Sequence, residues 1–123
     1  MSAPRVADLR ALLRVARYLV GACRVVYEYP WQQRPVLKAN TNSDFAGCVA
    51  TRRSTSGGAV LLGGHLLKHW ASTQKKITLS SGEAELGAVV RGFSEALGLQ
   101  GVARDLGVEL EPEVHADSSA AGL

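Results

Sequence analysis

"KANTNSDFAGC", Lys38 to Cys48, is the stretch on which the fold turns. Apolar flanks, "PVL" before it and "FAG" inside it, mark a strand, yet its centre reads Asn40-Thr41-Asn42-Ser43-Asp44. A run of polar residues is costly to bury unless it binds something. The stretch is therefore either a loop or the floor of a site that uses oxygen groups. On a strand Asn42 and Asp44 share a face, about 6.8 Å apart. Asn42 offers a neutral oxygen, whereas Asp44 carries the charge that a divalent cation needs.

Downstream, "GGAVLLGGHLLKHWAST" (57–73) has two apolar runs around a glycine pair, which predicts a β-hairpin. "QKKITLSSGEAELGAVVRGFSEALGLQGVARDLG" (74–107) predicts a brief strand or loop and then a helix. Gly87, Gly92, Gly98 and Gly101 each weaken that helix by about 1 kcal/mol against Ala, so a break or an end is expected between Gly98 and Gly107. "EVHAD" (113–117) reads as a strand, with a helix starting near Ser118. Upstream, Leu9, Leu12, Leu13, Ala16, Leu19 and Val20 recur at helical spacing, with Pro4 suited to the first turn and Gly21 to the stop. Arg10, Arg14 and Arg17 share the other face, a solvated stripe or a phosphate-contacting one. "RVVYEY" (24–29) predicts a short strand and "PWQQRP" (30–35) a turn or linker. This order implies one α/β domain with a mixed sheet flanked by helices.

The bulk numbers agree. The 123 residues suffice for one core and not for two. They are 46% apolar and 20% charged, with no apolar run near the length of a membrane span. Asp8 and several Arg interrupt the N-terminal apolar pattern, unlike a secretory leader, so an intracellular setting, cytoplasmic or nuclear, and no membrane partner are expected. Cys23 and Cys48, in no paired motif, read as buried thiols. The net charge of +3 permits an anionic partner without demanding one.

The acidic residues sort by position. Ser80-Ser81-Gly82-Glu83 matches a capping box, with Ser80 as N-cap and Glu83 reaching back to its amide. Glu85 is turned about 200° from Glu83 and has no such task, so it is the helix's candidate catalytic carboxylate. Asp117 ends an apolar strand. It either caps the next helix or stands at a strand's carboxyl end, where α/β sheets place sites.

Taken together, "SDFAGCVATRRSTSGGAVLLGGHLLKHWASTQ", "LSSGEAEL" and "HADSSAA" resemble the RNase H domain of copia-type retrotransposon Pol polyproteins. That family's ordered motifs run D-x-D-W-A-G, R-(K/R)-S-T-S-G, W-x-S-x-(K/R)-Q, S-S-x-E-A-E and D-x-x-(S/A)-A. Residues 1–34, with "LLRVARYLVGACRVVYEY", resemble the connection from reverse transcriptase, and residues 35–123 the RNase H-like domain. The resemblance implies a five-stranded mixed sheet, an RNA–DNA hybrid as substrate, and the reverse transcriptase domain of the same polyprotein as partner. It also implies two Mg²⁺ ions that neutralise charge on the attacking and leaving oxygens of the RNA strand.

By motif, Glu85 and Asp117 take metal-ligand positions, Asn42 stands where the family has its first Asp, and Asp44 is a possible substitute ligand. The family's fourth carboxylate follows the helix that starts near Ser118, so a domain truncated at its C-terminus is expected. Two readings result: a hydrolase of the RNA strand of hybrids, or a catalytically inactive remnant that at most binds nucleic acid. Arg52, Arg53, Ser54, Thr55 and Ser56 match the family's second motif and are candidates for phosphate contact. Lys75 and Lys76, near Trp70 and Lys68, are further candidates, with Trp70 itself read as core. His65 and His69 lack a third ligand for zinc. A sugar- or nucleotide-binding α/β protein would need a phosphate-cradling glycine loop before a helix, which is missing.

Overall fold

The computed structural model describes residues 5–33 and 35–116. Asp117 and the helix expected from Ser118 lie outside the described residues. In chain order come α1 (Val6–Gly21), β1 (Leu37–Ser43), β2 (Thr55–Leu62), β3 (His65–Thr73), α2 (Ser81–Asp105) and β4 (Pro112–Ala116). The four strands form one mixed sheet in the order β3-β2-β1-β4, with β1 antiparallel to β2 and parallel to β4. The expected hairpin is β2–β3, turning through Gly63 in the left-handed region (φ 57°). The α/β architecture is therefore as expected and is consistent with an RNase H-like fragment. The fifth strand that the resemblance implies is not among the described residues.

β1 alternates as a half-buried strand should. Leu37, Ala39 and Thr41 are buried towards α2, while Asn40 and Asn42 are exposed on the other face. The core is small: Leu37, Ala39, Val60 and Ala96, with Leu62, Trp70, Leu99, Leu110 and Val114 packed around them. α2 presents Ala84, Ala88, Gly92 and Ala96 to the sheet, side chains short enough for the helix backbone to come close. Trp70 lies over its cross-strand partner Gly58, where a Cβ would meet the indole at 2.2 Å. The reading of Trp70 as a core residue is met.

α2 runs unbroken to Asp105 and stops at Leu106 and Gly107 (φ 79°), inside the window that its glycines marked. Ser80 caps it, its Oγ accepting from the Glu83 amide at 3.2 Å. Glu83 reaches back one residue further than a capping box requires, to the amide of Leu79 at 2.7 Å, not to that of Ser80. Replacing Ser80 with Ala leaves one first-turn amide without its acceptor. The expected loss is about 1 kcal/mol in urea unfolding.

Two expectations are corrected. Residues 24–29 form no strand, because β-branched residues make strands only when a neighbour pairs with them. Here the segment is tied down outside the sheet. Tyr29 donates to the Leu66 carbonyl, and Gln32 bonds the Leu62 carbonyl, His65 and the Gly64 amide at the β2–β3 turn. Cys23 is exposed and Cys48 only partly covered, so neither is a buried thiol. α1 keeps the expected pattern but buries none of its residues, and Leu9, Leu12, Leu13 and Leu19 stay exposed.

Candidate functional site

The carboxyl end of β1 gathers the polar groups. The β1–β2 loop is tightly built: the Asp44 carboxylate accepts from the Thr55 amide, and the Asp44 amide donates to the Thr55 carbonyl at 3.0 Å. A Cβ on Gly47 would lie 2.0 Å from Asp44 Oδ2, so that position admits only glycine while the carboxylate stays in place. Ser54 is fully buried. Its hydroxyl accepts from the Ala46 amide and bonds Thr78 Oγ1, both at 3.0 Å. Ala46 (φ 53°) and Arg52 (φ 58°) take left-handed conformations unusual for non-glycine residues, and the loop's own hydrogen bonds hold them there. Hydrogen bonding by Thr51, with the Arg53 charge as a lesser cause, keeps the Cys48 thiol below its ordinary pKa.

Gln74 fixes α2 over this corner. Its Nε2 donates to Ser56 Oγ at 2.8 Å and to the Ala84 carbonyl at 2.9 Å, tying β2, the end of β3 and the first turn of α2 together. Ser56 pairs in register with Ser43. Gly92 sits against Thr41 and Ala39, and Ala96 joins Leu37 in the core, so α2 runs antiparallel to β1. Glu85, about 10 Å along the helix axis before Gly92, therefore lies towards the carboxyl end of β1. It is only 8% exposed, and its Oε2 and the nearby strand's Ser43 Oγ are buried with no hydrogen-bond partner among the described residues.

The sequence-derived candidates separate accordingly. Glu85 is buried on the sheet-facing side of α2. Asn42 is exposed on the opposite face of the sheet, in a shallow groove with Asn40, Gly57 and His115, so the two are not brought to one face. Asp44 is exposed and holds the loop, with one carboxylate oxygen engaged by Thr55. Arg52 and Arg53 are exposed and Thr55 is half-buried. Ser54 and Ser56 are buried with internally bonded hydroxyls, so these two do not present themselves to a phosphate. Lys75 and Lys76 are exposed at the end of β3, and Asp117 lies outside the described residues. His115 is exposed and bonds Glu113 at 3.1 Å. Gln74 escaped the sequence reading, although it lies in the quoted "HWASTQ" stretch, because an amide's cross-links do not show in composition or spacing.

Chemically, the corner offers one buried carboxylate and a hydroxyl, both free to accept a hydrogen bond. The two Mg²⁺ ions implied by the resemblance need several hard oxygen ligands. The described residues contain no group of three side chains able to hold a metal ion, so by themselves they do not make that site. Among them, no helix is long and apolar enough to cross a membrane.

The chain has relatives among known proteins. It is 35% identical over 95 residues, 77% of its length, to the uncharacterized mitochondrial protein AtMg00810 of Arabidopsis thaliana. It is 31% identical over 123 residues, 98% of its length, to the retrovirus-related Pol polyprotein from transposon RE1 of the same plant. A third relative, the retrovirus-related Pol polyprotein from transposon TNT 1-94 of Nicotiana tabacum, is 32% identical over 88 residues, 71% of the chain. The chain is a distant relative of retrotransposon Pol polyproteins. It spans 40% of the mitochondrial protein and only 8% and 7% of the two polyproteins. No protein-family profile matches this Pol-related chain, and no solved structure does.

Proposed function

We propose that this chain is an RNase H-like domain of a retrotransposon Pol polyprotein, a surface for gripping an RNA–DNA hybrid whose hydrolytic step is impaired in this copy. The observation that carries the reading is Glu85: a buried carboxylate with an unpartnered oxygen, on the sheet-facing side of the helix that crosses the central strands, towards the carboxyl end of β1. A structural residue in that place would be apolar or paired, whereas a functional one keeps an open oxygen. The β3-β2-β1-β4 order and the relation to Pol polyproteins support the same reading. Impairment follows because the described residues bring no second carboxylate to Glu85: Asn42, at the family's first Asp position, is neutral and faces away from it, and Asp44 is engaged by Thr55.

The test is a labelled RNA–DNA hybrid. The chain should bind it with an affinity that falls as salt rises. It should cleave it in Mg²⁺ at least about a thousandfold more slowly than an intact RNase H, since the lost charge stabilisation is several kcal/mol. Cleavage that disappears in Glu85→Gln would show an active copy and overturn the impairment. Absence of any binding to the hybrid would overturn the nucleic-acid reading itself.

A further inference from the structure

A cleft of about 590 Å³ opens between the end of β3 and the first three turns of α2. That is within the roughly 300–1,000 Å³ of small-ligand sites. Its floor is the side of α2 carrying Leu86, Gly87 and Val90, with Leu86 and Val90 more than half exposed. Gly87 keeps this floor low: a Cβ there would meet Gln74 Nε2 at 3.2 Å, in the amide that ties β2 to α2.

Three cations line the same cleft: Lys75, Lys76 and Arg91. Neither lysine has an ion-pair partner among the described residues. Arg91 is pinned with its guanidinium 5.7 Å from the Trp70 ring centroid and a hydrogen bond to Ser72. Its nearest carboxylate, Glu95 at 3.9 Å, is already held by Lys68 at 2.5 Å. The single acid in the lining, Glu83, is turned back onto the Leu79 amide. The cleft thus pairs an apolar floor with two lysines that have no ion-pair partner among the described residues and an arginine that shares its carboxylate with Lys68.

We infer that this cleft binds one nucleotide of a nucleic-acid strand, with the base laid on Leu86 and Val90 and its flanking phosphates met by Lys75, Lys76 and Arg91. Charge complementarity selects the occupant: an apolar peptide would leave both lysines unpaired, and a bare phosphate would leave the floor wet. The inference rests on the nucleic-acid reading above and not on the catalytic one. The cleft lies on the β3 side of α2, whereas Glu85 faces the sheet towards β1.

The experiment uses the full 123-residue chain without Mg²⁺ and a labelled eight-nucleotide deoxythymidine strand, followed by anisotropy across a salt series. The double variant Lys75→Ala/Lys76→Ala should bind at least tenfold more weakly, with a log–log salt slope shallower by about 1.4, the value for two lost phosphate contacts on a single strand. Leu86→Glu changes only an exposed side chain and should also weaken binding at least tenfold. Thymidine monophosphate should compete at least thirtyfold less well than the strand. If the parent binds while both variants match it within twofold, the inference is overturned and the nucleic-acid reading stands. If the parent binds neither strand nor hybrid, both fall together. Mononucleotide competition equal to the strand's would overturn the strand as occupant.

Discussion

Gly92→Ala should destabilise the domain by about 2 kcal/mol in urea unfolding, although helix propensity alone predicts a gain of about 1 kcal/mol. Gly92 faces the sheet at the closest approach of α2. A Cβ there would lie 2.2 Å from Thr41 Cγ2 and 3.8 Å from Ala39 Cβ. Thr41 has nowhere to retreat, being buried with its Oγ1 directed at the His115 carbonyl. The helix would have to lift off the core, and with six fully buried apolar side chains among the described residues, four of them alanine, the core has little to lose. Gly98→Ala is the internal control. Among the described residues nothing lies within 4 Å of a Cβ at that position, so the same substitution six residues on should stabilise by up to about 1 kcal/mol. Equal signs for the two variants would show that α2 does not sit this close to β1.

Glu85→Leu should raise stability by about 1–3 kcal/mol while removing whatever the site binds. A buried carboxylate oxygen without a partner carries a desolvation penalty that an apolar side chain of similar size does not. Natural chains tolerate such penalties at functional positions, where the open oxygen is the point of the residue. The measurement is paired: urea unfolding for stability and hybrid binding in Mg²⁺ for function. A loss of more than 1 kcal/mol in Glu85→Leu would show that the carboxylate has a structural partner and would remove the argument for a site there. The prediction is independent of cleavage, so it can be read in a copy that hydrolyses nothing.

Much of this was legible before any coordinates. The polar first strand, the hairpin with its glycine turn, the Ser80 cap and the end of α2 before Gly107 all follow from local rules. Glycine conformation, capping and period-two alternation act over a few residues. That Glu83 and Glu85 have different surroundings was legible too, since helical rotation alone separates them: Glu83 is occupied at the cap and Glu85 is buried. The apparent strand 24–29 misled because strand propensity reports a side chain's fit to a neighbour, and no strand among the described residues pairs with it. Ser54 and Ser56 misled for a related reason. They share a basic motif with Arg52 and Arg53, yet two are buried and two exposed, which depends on where Thr78 and Gln74 arrive from thirty or fewer residues away.

By itself, then, the sequence determined the α/β class, the β2–β3 hairpin and the Ser80 cap and end of α2, because each rests on backbone rules read within one element. Only the tertiary structure decided which polar groups of "KANTNSDFAGC" do what. Thr41 turns under the helix, Asn42 faces outward, the Ser43 hydroxyl is buried without a partner among the described residues, and Asp44 closes the loop onto Thr55. Those roles depend on which strand lies on either side of β1 and how near α2 comes, and pairing and close approach between distant segments leave no mark in the spacing of residues along one of them.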